Sequence, residues 1–125
     1  MATKLTNGLP SEDQEQSWLV AWFRKTHAPA RIFAIPNGGH RSKTQGMLLK
    51  ATGVSAGVPD LFIPEPRNGF HGLFIEMKVQ DGGSVSKEQK GWIAHLKERG
   101  YRAEVCRGFE EAKELIKAYM EKYSD

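Results

Sequence analysis

The chain has 125 residues, a length that supports one domain and leaves no room for a second core of ordinary size. Its hydrophobic fraction of 39% and its 13 glycines are typical of a globular domain and exclude disordered and fibrous classes. The apolar runs are far shorter than the roughly 20 residues that cross a bilayer, and residues 1–10 lack the apolar middle of a signal peptide. We therefore expect a single cytoplasmic domain over residues 1–125, with 1–10 as a polar lead-in and no contact with a membrane.

The charge balance is compatible with a polyanionic partner. Lysine and arginine total 18 against 15 acidic residues, which gives a net charge of +3 and an isoelectric point near 9.1. Many unrelated proteins share such a balance, so it permits a nucleic-acid partner without demonstrating one. The single cysteine, Cys106, excludes an internal disulfide and lies in an apolar strand, where it is expected to be a buried small hydrophobe.

Helix-start signals and apolar periodicity define the helices. Ser11 followed by Gln14 has the spacing of a capping box, and so does Ser86 followed by Gln89. The first helix should reach Thr26, and the helix that begins at Ser86 should stop at Gly100. Two further helices are predicted over 44–52 and 109–123.

Strands are predicted over 31–35, 58–63, 72–79 and 101–107, where short apolar runs are bounded by glycine and proline. The second and third of these are joined by a turn-rich link and should pair as a hairpin. The element order is then α-β-α-β-β-α-β-α. This order predicts an α/β fold in which helices pack against a small mixed sheet.

Two charged residues interrupt the strand over 72–79. Glu76 and Lys78 are two positions apart, so the period of a strand puts both on one face, beside Phe74. Burying such charges costs several kcal/mol per ion, about the size of an ordinary domain's net stability, unless they are paired or hold a metal. A structural ion pair on a solvent-facing sheet surface is the alternative interpretation.

A carboxylate on the neighbouring strand favours a metal site. Asp60 follows Pro59 at the entry of the strand over 58–63, and hairpin pairing allows it to sit beside Glu76. Two carboxylates next to a lysine form a site for an oxygen-liganded divalent ion, most naturally Mg²⁺ or Mn²⁺. Such an ion can activate water against a phosphodiester, with Lys78 placed to orient that water or to stabilise developing charge.

The spacing of these residues resembles a known nuclease signature. Pro59-Asp60, fifteen residues, then Glu76-Met77-Lys78 is similar to the PD-(D/E)xK pattern of restriction-endonuclease-like nucleases. Within that superfamily the chain resembles the VRR-Nuc family, the virus-type replication and repair nucleases, in its stand-alone form. The resemblance runs from about Glu12 to Phe109 and rests on five phrases in the family's order: 36–39, 57–61, 74–78, 86–89 and 100–101. It implies an αβββαβ core with an extra helix after the first strand.

The resemblance also implies roles for individual residues. Asp60 and Glu76 would be metal ligands, the backbone carbonyl of Met77 a third ligand, and Lys78 the catalytic lysine. The family uses a glutamate on its first helix, and both Glu12 and Glu15 fall near that position. The phrase around Glu12 is closer to the family pattern, whereas spacing favours Glu15. One of the two is expected to be an ordinary acid that complements the helix dipole.

Three further sets of residues have both a structural and a functional interpretation. Gln89 matches a family glutamine that could hydrogen-bond active-site groups, but it also completes the capping box. The glycine turn after the first strand could hold a phosphate, or it could simply connect a strand to a helix. Its candidate DNA-binding residues are Asn37, His40, Arg41 and Lys43. The three tryptophans are expected in the core rather than as base-stacking platforms, because each lies on an amphipathic stripe: Trp18, Trp22 and Trp92.

By resemblance the chain is a Mg²⁺- or Mn²⁺-dependent endonuclease acting on branched DNA, in a bacterial, phage or prophage setting. Similarity of compact family members to Holliday-junction resolvases favours a homodimer that cuts four-way junctions. The final helix offers a broad apolar stripe that is a candidate interface or ordinary core packing: Ala112, Leu115, Ile116, Tyr119, Met120 and Tyr123. The alternatives are a flap, nick or duplex nuclease, and a catalytically silent DNA-binding module.

Overall fold

The computed structural model describes residues 5–6, 8–36 and 43–121. Helices in the described part are α1 (Glu12–Thr26), α2 (Lys43–Ala51), α3 (Lys87–Glu98) and α4 (Phe109–Glu121). Strands there are β1 (Leu5–Thr6), β2 (Leu9–Pro10), β3 (Phe33–Ala34), β4 (Leu61–Ile63), β5 (Leu73–Lys78) and β6 (Arg102–Arg107). None of these helices is long and apolar enough to span a membrane.

The main sheet has the strand order β3-β4-β5-β6. The β3–β4 and β4–β5 pairs are antiparallel, whereas β6 runs parallel to β5. Helix α3 connects β5 to β6. The predicted mixed α/β fold, its central hairpin and the helix that follows the first core strand are therefore confirmed. A separate two-stranded pair, β1 with β2, lies within the segment predicted as a polar lead-in.

Capping hydrogen bonds fix the starts of the two helices that border the sheet's polar end. The Ser11 hydroxyl accepts from the Gln14 backbone N–H at 3.2 Å and begins α1. At α3 both bonds of a capping box are present, between the Ser86 hydroxyl and Gln89 N, and between the Gln89 amide and Ser86 N. These caps satisfy backbone donors that have no partner inside the helix.

One face of the sheet packs on α1 and α4 and forms the core. Alternate residues of β4 and β5 point to this face, because side chains alternate along a strand. The core residues are Leu19, Phe23, Ile32, Leu61, Ile63, Leu73, Ile75, Met77, Cys106, Ala112, Ile116 and Tyr119. Cys106 is buried as predicted, and burial raises the pKa of its thiol to about 12. The α4 stripe is thus core packing through Ala112, Ile116 and Tyr119; Tyr123 lies outside the described residues.

The opposite face carries aromatic rings at one end and the charged residues at the other. Phe62 stacks on Phe74 with ring centroids 4.2 Å apart. Gly72 allows this stack, because a Cβ there would lie 2.7 Å from the Phe62 ring. The expectation of a core tryptophan is wrong for Trp18, which is 41% exposed and packs its ring against Phe109 in an edge-to-face contact. It is also wrong for Trp92, which is half-buried outside the core cluster, where α3 faces a surface pocket.

Candidate active site

The register of the β4–β5 hairpin brings the two predicted carboxylates together. Leu61 pairs with Ile75, so the next residue outward, Asp60, lies opposite Glu76 on the same face of the sheet. The Asp60 Oδ2 atom accepts a hydrogen bond of 2.7 Å from the Met77 backbone N–H, and the two carboxyl groups hydrogen-bond each other. The prediction that Asp60 sits beside Glu76 is confirmed.

Lys78 and Gln89 complete the immediate surroundings of Glu76. Lys78 Nζ lies 3.7 Å from Glu76 Oε2, and both side chains are almost fully buried. Gln89 Nε2 donates to the same oxygen at 3.0 Å from the first turn of α3. Both interpretations of Gln89 are therefore correct at once, since its Oε1 caps the helix while its Nε2 holds Glu76.

The electrostatics of this pair are those of crowded, desolvated acids. Burial, then the adjacent Asp60 charge, raises the pKa of Glu76 to about 8, although Lys78 acts in the opposite direction. Burial also raises the pKa of Asp60, against the lowering effect of the Met77 N–H. Two carboxyl groups that share one lysine cannot both ionise freely, and a cation placed between them would relieve their repulsion.

The structure separates the two candidate glutamates of α1. Glu12 faces the site, because the charges of Lys78 and Asp60 act on its carboxyl group. Burial raises the pKa of Glu12, Lys78 lowers it and Asp60 raises it. Glu15 is 2% exposed and turns the other way, where its Oε1 accepts from the Phe109 N–H at 2.8 Å and from Gln80 Nε2 at 3.1 Å. Glu15 thus caps the N-terminus of α4.

The donor set fits a hard divalent cation only if groups other than side chains take part. Within the described ranges, no three His, Cys, Asp or Glu side chains form a metal-binding group. Asp60 and Glu76 supply two carboxylates, and the N–H and C=O of an extended residue point to the same side of its strand. Because the Met77 N–H points to Asp60, its carbonyl is directed to that side as well, which is the arrangement that the predicted third ligand requires.

Most of the predicted DNA-binding loop lies outside the residues that the structure describes. Asn37, His40 and Arg41 lie outside the described residues, and Lys43 is the first residue of α2, with nothing described of its side chain. Their contact with a phosphate of DNA stays a prediction.

Two polar residues near the site were not found from the sequence. Arg107 donates to the carbonyls of Val79, Gly82 and Gly83, and so fastens the loop that follows Lys78. Gln80 holds the Glu15 carboxylate from the same loop. Arg107 pairs with Lys78 across the parallel strands, a register that local sequence patterns do not reveal.

The raised pKa of Glu76 predicts a pH-dependent effect of neutralising this residue. With a pKa of 4.5 when unfolded and about 8 when folded, the native state holds a proton that the unfolded chain has released, so stability falls as pH rises between these values. Glu76→Gln cannot lose a proton. In metal-free buffer, its melting temperature relative to wild type should therefore increase from pH 5 to pH 8.5.

Glu104→Gln is the matched control, because Glu104 lies on the neighbouring strand β6 but its side chain is 36% exposed. Its melting-temperature difference should stay nearly constant over the same range. A constant difference for Glu76→Gln as well would contradict the electrostatic description of the site.

A solved structure shares this fold. It is a protein titled "VRR_NUC domain protein", which superposes with a TM-score of 0.79 and 28% sequence identity over 91% of each chain.

Two sequence comparisons agree with the structural one. Fanconi-associated nuclease 1 homolog from Oryza sativa subsp. japonica is 28% identical over 118 residues, covering 83% of this chain. The chain spans only 12% of that protein's length, so the similarity concerns one domain of it. The sequence model of the VRR-NUC domain matches residues 4–110, most of the chain, so this protein belongs to the VRR-NUC domain family of nucleases.

Proposed function

We propose that the chain is a metal-dependent DNA endonuclease whose active centre is formed by Asp60, Glu76 and Lys78. The observation that carries this proposal is the contact of two carboxyl groups beside a lysine, buried at the end of a central hairpin. A structural ion pair needs one acid and one base, whereas here two acids share the single lysine Lys78. Family membership supports phosphodiester hydrolysis.

The residues divide the work by their chemistry. Asp60, Glu76 and the Met77 carbonyl would hold Mg²⁺ or Mn²⁺, ions that prefer hard oxygen ligands. Such an ion, when bound, supplies Lewis-acid activation of the phosphodiester and of the attacking water. The Lys78 ammonium, 3.7 Å from Glu76, is placed to orient that water or to stabilise charge developing on the phosphate. Glu12 supplies a further carboxylate at the edge of the site, and Gln89 fixes the Glu76 side chain.

We further propose a homodimer that cuts four-way junctions, which need paired incisions on opposing strands. Two copies related by a two-fold axis would match the near-symmetry of such a junction. Large apolar side chains on α2 and β3 are available for an interface, since the described part of the chain leaves them exposed: Met47, Leu48 and Phe33. This support is independent of α4, whose described apolar stripe is used in the core.

Charge-removing substitutions at the centre should abolish cleavage without unfolding the protein. Asp60→Asn and Glu76→Gln keep the shape of the side chain but remove the charge that would attract the cation. Because they also relieve repulsion between buried acids, thermal stability should hold or rise. Cleavage of labelled DNA with and without Mg²⁺ measures the first effect, and thermal denaturation of the metal-free variants measures the second. Wild-type cleavage by either variant would contradict the assignment.

Lys78→Ala should lower the single-turnover rate by ~100-fold or more while DNA affinity stays nearly unchanged, as expected for loss of one preorganised electrostatic group. If affinity fell and the rate were spared, Lys78 would be a phosphate anchor instead.

The two glutamates of α1 should respond in opposite ways. Glu15→Ala leaves the partly buried Phe109 N–H without its acceptor and should cost about 1–3 kcal/mol of unfolding free energy. Glu12→Ala removes a partly exposed carboxylate that makes no hydrogen bond or ion pair with the described residues, so it should lower cleavage while leaving stability within about 0.5 kcal/mol. Urea denaturation and cleavage assays on both variants measure the two effects. The reversed pattern would make Glu15 the active-site glutamate.

The dimer should be visible in both mass and product pattern. Light scattering at micromolar concentration should report about twice 14.0 kDa, and junctions should be cut by paired symmetric nicks. Met47→Glu places a charge on the exposed apolar surface of α2 and should favour the monomer, whereas Thr44→Glu, an exposed control on the same helix, should not. A monomer that cuts linear duplex as readily as junctions would contradict the resolvase proposal and leave the nuclease assignment intact.

A further inference from the structure

A surface pocket lies on the flank of α3, beside the candidate active site. Its volume is about 480 Å³, which exceeds that of a single nucleobase. The lining residues are Ser55, Ala56, Glu88, Gly91, Trp92 and His95. The four from α3 recur at the spacing of one helix face, so the pocket has a regular wall formed by a rigid element.

The lining combines flat aromatic surface with a polar edge. Trp92 is half-buried, and its ring is oriented by a hydrogen bond from Nε1 to Ser55 Oγ at 3.3 Å. His95 stands at 83° to that ring, with centroids 5.9 Å apart. A planar group that stacks on one ring therefore meets the edge of the other. Gly91 leaves the wall open, because a Cβ there would meet nothing within 4 Å.

Glu88 determines which part of a nucleotide could enter. Its carboxylate would repel a phosphate, but it can accept hydrogen bonds from an exocyclic amino group of a base. Aromatic side chains bind unpaired bases by stacking in many nucleic-acid complexes. The combination thus suits a base and not the phosphate backbone.

The pocket is mechanically joined to the candidate active site. Gln89, next to Glu88 on α3, holds Glu76 Oε2 at 3.0 Å. On the other side, Gly57 packs so closely against α3 that a Cβ there would lie 2.6 Å from the Glu88 backbone. That contact ties the segment leading to Asp60 to the same helix turn. A base held in the pocket would therefore be fixed relative to the carboxylates.

We propose that this pocket binds one unpaired base of the DNA substrate, of the kind that carries an exocyclic amino group, and so positions the neighbouring phosphodiester for cleavage. The inference rests on the proposed nuclease function and adds to it a base-binding subsite. Branched DNA offers such bases where its strands part. The residues of this subsite are positioning residues, since they act through the placement of the strand.

The test begins with DNA in which a single abasic position is moved through the nucleotides around the cut. Wild-type protein should lose about 10-fold in kcat/KM at one position, within the range for loss of one stacked base. At that position cytosine should be cut faster than thymine, which lacks the amino group, and Glu88→Ala should remove this preference.

Gly91→Leu fills the pocket without a steric clash in the helix and with a gain in helix propensity. Its kcat/KM on the intact substrate should be about 10-fold lower than that of wild type. On the abasic substrate its kcat/KM should not fall any further. Ala94→Leu adds similar bulk to an exposed position of α3 outside the pocket and should behave as wild type.

Fluorescence anisotropy of Asp60→Asn with the same DNAs separates this inference from the proposed function. Base-dependent binding without cleavage by wild type would overturn the nuclease assignment and keep the subsite. If wild type cuts the DNA equally fast at every abasic position, the subsite alone is overturned. The same holds if Gly91→Leu loses as much activity on the abasic substrate as wild type does. DNA that is neither bound nor cut would overturn both.

Discussion

The antiparallel register of β4 and β5 is the constraint on which the site depends. It sets Asp60 opposite Glu76, and the Met77 N–H then holds the Asp60 carboxylate in place. Shifting the register by one residue would turn every side chain of the strand to the other face. Such a shift is unfavourable because it would remove four apolar side chains from the core: Leu61, Ile63, Leu73 and Ile75. The hydrophobic pattern that stabilises the fold therefore also fixes the position of the acids.

Crowding of these acids has a thermodynamic cost in the metal-free protein. Burial raises the pKa of both acids, the Asp60 charge raises that of Glu76 further, and among the described residues Lys78 is the lysine close enough to compensate. Removing one partner of a buried ion pair lowers stability because it leaves an uncompensated charge. Neutralising one of two acids that share a single lysine leaves no such charge. The chain tolerates this arrangement because the surrounding core, not the polar site, supplies its stability. The proposed cation would offset this excess of acid over base.

Helices α1 and α3 each link the site to another part of the molecule. On α1, Glu12 faces the carboxylates while Glu15, one turn on, caps α4. On α3, Gln89 closes the capping box with one amide atom and holds Glu76 with the other. The neighbouring face of α3 lines the pocket with Trp92 and His95. Local helix geometry thus couples folding contacts to the positions of functional groups.

The sequence by itself determined the order of the four helices and the main-sheet strands, the hairpin, the family and the position of Asp60 beside Glu76, because periodicity, caps and motif spacing are local signals. It did not reveal the short β1–β2 pair. Only the tertiary structure distinguishes the surroundings of Glu12 from those of Glu15. Both lie on the first turn of one helix, and their roles depend on where Phe109 and Asp60 arrive from distant parts of the chain. For the same reason, the sequence did not predict the role of Arg107 or the pocket on α3, since both depend on contacts between segments far apart in sequence.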